Sequence, residues 1–591
     1  MKETYITLKR IMALAFSLEK KHLILFLIIN TLKLYFPIAI MLNTQIIVNK
    51  IQKGTSFFSY DFMLAIAIFP VLNIALELFN TLSGYISSRY SDILNFKFSK
   101  LQLDHINKQS LESFEDPEFY DLIQRAEQAA GTYPFQISMT FVNVFSMLLS
   151  SISYVYILLM WKWWTIILIF IFPLISSIKM IRVSRDEYKT MYNRTHFERK
   201  SWYYANLLNK DEYIKETRLF SLEKNFLNKF VELRMTFLDE NRKMYKRRSL
   251  FTFVISFVSI LTTTVILVTV FFEASIGKIL IGSLMTYINS ISSLKSNFTN
   301  IINSFFSLHQ QSLYAKNILE LLNYKDGLEI NLNNENAKIR IEKVDSIEIK
   351  NLYFKYNRTE KYALKNISFD FKKGEKYVIV GQNGSGKSTL IKILLGFYHN
   401  YEGEILINNI PLKKIDPKSY RNCITAVFQD YARYQFTVEE VVSISDNNDK
   451  DSLKIREVTK EVEAEEFINR LPNKFVQQLG SWFPGGVQLS GGEWQKLCIA
   501  RAFYKSKSSV VALDEPSSAL DPISEERIFE SYNALTKDKI GLFVTHRMKN
   551  IEFDGIILVL NDGEIVESGK QNDLLMKKGL FYKLVNAKKN F

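Results

Sequence analysis

Six apolar runs in the N-terminal half constrain the fold of this 591-residue chain more than any other feature. A helix needs about 20 apolar residues to cross the hydrocarbon core of a bilayer. The runs that meet or approach this length are 23–42, 62–82, 141–160, 163–178, 251–272 and 279–308, of which the last is the most polar. No such run follows Asn323. The sequence therefore predicts an all-α domain of six transmembrane helices, followed by a domain of another kind.

The connections between these runs alternate between short and long, which places every long connection on the same side of the membrane. One long connection, 182–250, carries 17 Lys and Arg, and cytoplasmic loops are enriched in these residues. We therefore expect both termini and the C-terminal domain to lie in the cytoplasm. Lys, Asn, Ile and Phe are abundant, as in proteins from AT-rich bacterial genomes. These features predict a multi-pass protein of a bacterial cytoplasmic membrane, with the lipid bilayer as a partner.

The net charge of +14 has two interpretations, a nucleic-acid partner or basic cytoplasmic loops. The excess of basic residues falls largely between the apolar runs, which favours the loops. A soluble ATPase acting on nucleic acid is disfavoured by the six runs, so no nucleic-acid partner is expected. Cys423 and Cys498 are the only cysteines. Two cysteines imply no disulfide framework and fit a reducing cytosolic domain.

A phosphate-binding loop follows the apolar strand 377–380 and matches the pattern G-x-x-x-x-G-K-[ST]. Glycines in such a loop let backbone N–H groups converge on phosphate oxygens, and the next helix adds its N-terminal dipole. Lys387 is expected to reach the β- and γ-phosphates of ATP, and the Ser388 hydroxyl to bind Mg²⁺. The residues predicted to hold ATP here are Gly381, Gln382, Asn383, Gly384, Ser385, Gly386, Lys387, Ser388 and Thr389.

A second apolar strand, 510–513, ends in two carboxylates, Asp514 and Glu515. Acidic residues at strand ends are common, but after a phosphate-binding loop they indicate hydrolysis of the bound nucleotide. Asp514 is predicted to be a direct or outer partner of Mg²⁺. Glu515 is predicted to be catalytic, because a carboxylate at this place can polarise the attacking water. The C-terminal domain is therefore predicted to be an α/β P-loop ATPase.

The segment Leu489-Ser-Gly-Gly-Glu resembles the signature of ABC transporters, and the whole chain resembles an ABC exporter with fused membrane and nucleotide-binding domains. The resemblance implies that Tyr356 stacks on adenine and that Gln429 senses Mg²⁺ and takes part in catalysis. It also implies that His546 contacts the γ-phosphate and acts in catalysis. The remaining residues that it assigns to nucleotide binding are Ser490, Gly491, Gly492, Glu493 and Asp521. Glu493 replaces the more usual Gln of the signature.

The chain holds one copy of each motif and no internal repeat, so a second chain would have to supply two-fold symmetry. The resemblance implies a homodimer that holds two ATP molecules between the loop of one subunit and the signature of the other, and transport by alternating access. Segments 114–121 and 211–220 fit the coupling helices of the family, or else are amphipathic surface helices. The predicted domains are 1–325 (membrane), 326–344 (linker) and 345–591 (nucleotide-binding).

The cargo prediction depends on a finer resemblance. Segments 215–220, 479–486 and 493–496 resemble nisin-type lantibiotic exporters, which implies export of a ribosomally made peptide that still carries its leader. Peptide-modifying enzymes are further candidate partners. No N-terminal protease domain is expected, because about 20 residues precede the first run and neither cysteine lies near them. A multidrug or lipid exporter with a small amphipathic substrate is the alternative. An inactive pump is disfavoured, because every expected catalytic residue is present.

Polar residues within the runs carry two interpretations each. Asn289, Ser293 and Asn300 form part of a polar stripe on the sixth run. The stripe either lines a hydrophilic translocation path or joins helices by hydrogen bonds. Lys33 and Glu77 interrupt apolar runs. Such charges predict a functional site by default, or else they face a wet cavity or pair with each other.

Overall fold

The computed structural model describes residues 2–324, 339–357, 359–446, 450–516, 522–545 and 554–586. Within these ranges the side chains at 172–185, 188, 191–192, 195, 212, 255 and 522–525 are not described. The chain divides into two compact units. Unit 1 comprises Met1–Asn107 and Asp121–Tyr324, and unit 2 comprises Lys108–Tyr120 and Lys325–Phe591. The predicted boundaries at residues 325 and 345 stay predictions.

Unit 1 is all helical in its described residues. Its long helices bury apolar side chains in two clusters, one of which contains Ile11, Tyr90 and Ala315 and the other Leu158, Val270 and Leu294. The short α4 and the first residues of α5 belong to unit 2. The helices are α1 (Lys2–Lys33), α2 (Tyr35–Gln52), α3 (Tyr60–Ile106), α4 (Leu111–Phe114), α5 (Pro117–Ala130), α6 (Tyr133–Leu159), α7 (Trp164–Asn209), α8 (Asp211–Leu219), α9 (Glu223–Ser275) and α10 (Ile281–Asn323).

Four helical segments of the described residues are long and apolar enough to cross a membrane: Glu3–Gln52, Tyr60–Ile106, Tyr133–Leu159 and Glu223–Ser275. They contain the first, second, third and fifth predicted spans. The fourth predicted span lies in α7, partly at side chains outside the description, and the sixth lies in the more polar α10. The prediction of an all-α membrane-spanning domain is therefore confirmed, while two of its six spans rest on the sequence pattern.

The first membrane segment is not one straight helix. Its backbone leaves the helical region at Glu19, with φ −149° and ψ 67°. The Lys97 ammonium of α3 donates to the Leu18 carbonyl and to the Glu19 carboxylate at this kink. Inserted side chains are a known cause of helix kinks, because they supply partners for freed backbone groups. A second break separates α1 from α2 at Leu34, next to Lys33.

A polar seam joins α2 to the first turn of α10. Gln52 Oε1 accepts from Ile281 N–H at 2.7 Å, and Asn49 Oδ1 accepts from Gly282 N–H at 2.8 Å. Gln45 donates to the Ser283 hydroxyl at 3.0 Å and accepts from the Thr286 hydroxyl at 3.0 Å. These amide side chains therefore satisfy N–H groups at a helix N-terminus that have no partner within the helix.

Unit 2 contains two sheets in its described residues. A six-stranded sheet has the order β10-β9-β3-β8-β7-β6, in which every adjacent pair except β9–β10 is parallel. An antiparallel sheet has the order β2-β1-β4-β5. The strands are β1 (Ser346–Phe354), β2 (Leu364–Lys372), β3 (Lys376–Gly381), β4 (Glu402–Ile407), β5 (Ile410–Pro411), β6 (Ile424–Val427), β7 (Val510–Asp514), β8 (Ile540–Val544), β9 (Ile556–Asn561) and β10 (Glu564–Gly569).

Helices cover the parallel sheet, as expected for strands that are apolar along their whole length. Strands β7 and β8 are fully buried. The helices are α11 (Lys387–Leu394), α12 (Pro417–Asn422), α13 (Val438–Ser443), α14 (Ser452–Glu461), α15 (Glu465–Arg470), α16 (Gly491–Tyr504), α17 (Pro522–Leu535), α18 (Gln571–Lys577) and α19 (Leu580–Asn586). The predicted α/β fold of this domain is confirmed, and in such sheets ligands bind at the carboxyl ends of the strands.

Candidate functional site

The phosphate-binding loop joins the end of β3 to the start of α11. Gly386 has φ +100°, and a Cβ at this position would lie 2.7 Å from the Ala363 carbonyl oxygen. Only glycine fits both the backbone conformation and the space. Gln382, Asn383 and Gly384 are exposed at the tip of the loop. The loop therefore presents exposed backbone groups directly before the N-terminus of α11, where an anion is favoured.

Lys387, the first residue of α11, is only 5% exposed. Its ammonium donates to the carbonyl oxygens of Gly381 at 3.2 Å and Gln382 at 2.9 Å. Burial lowers the pKa of Lys387, against the opposing influence of the Glu515 and Asp514 carboxylates. An ammonium has three donors. Two of these donors hold Lys387 over the loop, and the third remains for a phosphate oxygen.

Asp514 is the last residue of β7 and Glu515 follows it, two strands from the loop in the sheet order. Burial raises the pKa of the Asp514 carboxyl, and a hydrogen bond from Ser388 opposes this rise. Glu515 accepts a hydrogen bond from the Gln429 amide at 3.1 Å. The parallel sheet thus brings together the predicted residues Lys387, Ser388, Asp514, Glu515 and Gln429, although they lie far apart in sequence.

Glu515 has an unusual backbone conformation, with φ +51°. Its N–H donates to the Val544 carbonyl oxygen of β8 at 3.0 Å. A non-glycine residue in the left-handed region costs about 1–3 kcal/mol and persists only where its surroundings impose it. Such strain clusters at active sites, which agrees with the predicted catalytic role of Glu515.

The residues around Asp514 fit a divalent cation. Asp514 is 4% exposed, and its Oδ1 accepts no hydrogen bond from any described residue. A buried carboxylate oxygen without a partner is costly, and a cation would remove that cost. Ser388 and Gln429 add further oxygens of the kind that Mg²⁺ prefers. The described residues hold no group of three or more His, Cys, Asp or Glu that could bind a metal without help from a ligand.

Tyr356 follows β1 and contacts the phosphate-loop helix. Its hydroxyl lies 2.8 Å from the Thr389 hydroxyl. Its ring packs edge-on against Phe354 and Tyr398, with centroid distances of 5.1 and 5.7 Å. The predicted adenine-stacking residue is therefore held beside the nucleotide loop by an aromatic group.

The signature segment begins α16. Ser490 accepts from the Glu493 N–H at 3.3 Å, while Glu493 Oε2 accepts from both the N–H and the hydroxyl of Ser490 at 2.8 Å. This reciprocal arrangement is a capping box. Either Glu or Gln can occupy the N3 position of a capping box, three residues after the N-cap. This explains why Glu493 is compatible with the fold. In this single chain the Ser490 hydroxyl is bonded locally to Glu493, and Gly491 and Gly492 form the first turn of α16.

Tyr431 is a functional candidate that the sequence analysis missed. Its hydroxyl donates to the Gly491 carbonyl oxygen at 3.0 Å. Two residues earlier, Gln429 bonds Glu515. One short segment therefore contacts both the predicted catalytic carboxylate and the signature turn. An aromatic residue two places after Gln429 is the only sequence signal, and it is not specific.

The segment 108–120 is a second candidate, of which the sequence predicted only the part within 114–121. It belongs to unit 2 and contains most of the predicted first coupling segment. Tyr398 donates to Glu115 Oε1 at 2.6 Å, and the His399 N–H donates to Glu112 Oε1 at 3.3 Å. A cavity of 210 Å³ lies between this segment and residues 354–357. Tyr398 thus joins the segment to the ring of Tyr356.

Two predicted site residues, Asp521 and His546, lie outside the described residues. Their predicted roles therefore stay predictions. Segment 211–220, the second predicted coupling segment, corresponds to α8 in unit 1.

Comparison with known proteins agrees with this site. Residues 364–518 match the family model of the ABC transporter. The subtilin transport ATP-binding protein of Bacillus subtilis is 32% identical over 87% of this chain and 83% of its own length. The nisin transport ATP-binding protein of Lactococcus lactis is 28% identical over 98% of this chain and 95% of its own.

Two further similarities bear on the fold and on the range of relatives. A lipid A-core flippase of Pseudomonas syringae is 28% identical over 73% of this chain and 70% of its own. The solved structure of a bacterial Atm1-family exporter with ATP bound superposes with a TM-score of 0.81 at 19% identity. It covers 96% of this chain and 98% of that one, so the entire fold is shared.

The family match, the full-length relatives and the geometry of the nucleotide loop agree with each other. This chain therefore belongs to the ABC transporter family, as an ATP-driven exporter that carries its membrane helices and its ATPase domain in one polypeptide.

Proposed function

We propose that this exporter moves a ribosomally made, lantibiotic-like peptide, with its leader attached, out of a bacterial cell across the cytoplasmic membrane. The observation that carries this proposal is the extent of two similarities. The relatives named for subtilin and nisin transport match 87% and 98% of the chain, and so include the membrane half that would hold the cargo. The polar side chains of α10 support the same cargo, because a peptide brings backbone groups that need partners.

In the proposed reaction cycle, ATP is bound with Mg²⁺ and hydrolysed at the site built around Lys387. Lys387 neutralises the β- and γ-phosphates, while Ser388, Asp514 and Gln429 would hold the cation, which would offset phosphate charge. Glu515 polarises the attacking water, and Tyr356 stacks on adenine. The proposal also keeps the roles predicted for Asp521 in nucleotide binding and for His546 in catalysis.

The second half of each ATP site comes from another copy of this chain. Ser490, Gly491, Gly492 and Glu493 would face the phosphates held by the partner's loop. The first turn of α16 supports this role, because helix N–H groups and the helix dipole attract anions. The proposed homodimer has two equivalent sites and the nucleotide-binding domains in the cytoplasm.

The test is secretion of leader-bearing nisin peptide from a host strain with this gene, without it, and with a Glu515→Gln variant. We expect the peptide in the medium only with the parent gene. Equal secretion from all three strains would contradict the proposal.

A lipid exporter is the second candidate, because the lipid A-core flippase also matches part of the membrane half. ATPase stimulation of the purified protein by lipid A, with no response to leader-bearing peptide, would favour this candidate.

A further inference from the structure

A cavity of 620 Å³ lies among α2, α3, α6 and α10 of unit 1. Small-molecule pockets have volumes of about 300–1,000 Å³, so this one is large enough to bind part of a cargo. Its lining residues are Pro37, Ile40, Met41, Thr44, Gln45, Asn73, Leu76, Tyr154, Met285, Thr286, Ile288, Asn289 and Ser293.

The polar part of this lining is neutral. Gln45, Asn73 and Asn289 contribute amides, and the hydroxyls come from Thr44, Tyr154, Thr286 and Ser293. None of the 13 residues that line the cavity in the described part of the chain carries a charge. The cavity can therefore exchange hydrogen bonds with a ligand but cannot form an ion pair with one.

The amides of the wall are held in place and retain bonding capacity. Gln45 is fixed by Ser283 and Thr286, and Asn73 donates one N–H to the Phe69 carbonyl oxygen at 2.8 Å. A primary amide has two N–H donors and two acceptor lone pairs, so both residues can bond a ligand as well. The side-chain amide of Asn289 makes no hydrogen bond to any other residue that the structure describes. The wall thus offers both donors and acceptors.

Lys295, a charged residue close in sequence to this lining, bonds to another helix. Lys295, two residues beyond Ser293, donates to Ser259 O at 3.3 Å and to the Thr263 hydroxyl at 3.1 Å, both on α9. Lys33 and Glu77 are absent from the lining, and no ion pair between them is present among the described residues. Among the residues that the structure describes, the lining of this cavity therefore offers no cation to an anionic lipid headgroup.

We propose that this cavity binds an uncharged, hydrogen-bonding stretch of the exported polypeptide, through its backbone amides and small polar side chains. This inference rests on the proposed peptide export. Each peptide unit carries one donor and one acceptor, and leaving either without a partner away from water is costly. A neutral wall of amides and hydroxyls, interleaved with Ile and Met, matches such a stretch and does not match a phosphorylated lipid.

The experiment uses the full-length protein in phosphatidylcholine nanodiscs and measures ATPase stimulation by leader-bearing nisin peptide and, separately, by lipid A. Asn289→Leu keeps the side-chain size and removes the amide, so the half-maximal peptide concentration should rise about tenfold, the equivalent of roughly one hydrogen bond. Ser293→Ala should raise it about threefold. Asn289→Lys should weaken the peptide response and create a response to lipid A.

Asn300→Leu is the matched control. Asn300 lies on the same helix, three turns beyond Asn289, is exposed, and does not line the cavity. Its variant should respond like the parent. If the parent responds to peptide and Asn289→Leu and Ser293→Ala have the same half-maximal peptide concentration as the parent, the assignment of this cavity is wrong. It is also wrong if Asn300→Leu raises that concentration as much as Asn289→Leu does. A parent that ignores the peptide would instead refute the proposed function and, with it, this inference.

Discussion

Tyr398→Phe isolates a single hydrogen bond between the ATPase fold and the segment 108–120. The hydroxyl of Tyr398 donates to Glu115 Oε1 at 2.6 Å, and the residue is 1% exposed. Phenylalanine keeps the ring and its contacts with Phe354 and Tyr356, at centroid distances of 5.0 and 5.7 Å. The change therefore removes the hydroxyl and leaves the aromatic packing in place.

The magnitude follows from the two partners. A hydrogen bond to a charged group contributes about 1.5–3 kcal/mol to stability. Glu115 is exposed, so water can replace the lost donor, and the lower end of this range applies. A loss of about 1.4 kcal/mol is a factor of ten in an equilibrium constant. Segment 108–120 should therefore detach from its docked position about ten times more often.

Hydrogen exchange measures this detachment directly, because amides exchange through local opening. We expect backbone amides of residues 108–120 to exchange about tenfold faster in Tyr398→Phe than in the parent. Because the segment follows α3 in the chain, peptide stimulation of the ATPase should fall while the rate without peptide stays near that of the parent. Tyr362→Phe is the control, since Tyr362 is also bonded to a glutamate, Glu402, at 3.1 Å but at the surface.

Unchanged exchange in residues 108–120 of Tyr398→Phe would refute this reasoning. The same would hold if Tyr362→Phe accelerated that segment equally.

Three further predictions concern the nucleotide site and its neighbourhood. Glu515→Gln should bind ATP like the parent and lose at least about a hundredfold in turnover, because it removes the carboxylate that polarises water; phosphate release within a few-fold of the parent would exclude this role. Lys387→Ala should weaken ATP binding at least about tenfold in an equilibrium assay, and an unchanged dissociation constant would contradict the assignment. Gly480→Ala should lower the free energy of unfolding by more than about 1 kcal/mol, because φ is +84° and the new Cβ would collide with the Gln435 side chain. Gly485→Ala has a similar φ of +73° but open space, so thermal unfolding should show a smaller loss there, and equal losses would be evidence against the collision.

The nucleotide site could be predicted from sequence because its residues fall in short, contiguous motifs. A glycine loop after a strand fixes where phosphate binds, and the carboxylates of Asp514 and Glu515 come at the end of another apolar strand. The link from Tyr398 to Glu115 could not be predicted, because the partners are 283 residues apart and Tyr398 belongs to no motif. Tyr431 is likewise recognisable only from its contact with the signature turn.

The membrane half shows the same limit. Apolar length predicted where helices cross, but the kink at Glu19 depends on Lys97 of another helix. Along α10 the sequence predicted one polar stripe with two possible roles. The structure divides it: Asn289 and Ser293 line the cavity, while Asn300 does not. The period of the helix predicts which residues share one face of α10. Tertiary packing decides whether each part of that face lines a cavity or lies elsewhere.

The polar seam between α2 and α10 has a mechanical consequence. It consists of hydrogen bonds between amide side chains and backbone N–H groups or hydroxyls, and it lies at the ends of α2 and α10 that the sequence predicts to face the outside of the cell. Water offers the same donors and acceptors, so parting such bonds costs about 0.5–1.5 kcal/mol each in net free energy. Separating an apolar seam of equal extent would instead expose apolar surface to water. Two helices joined in this way can separate and pair again repeatedly, because the separated state exposes polar groups that water solvates and not an apolar surface.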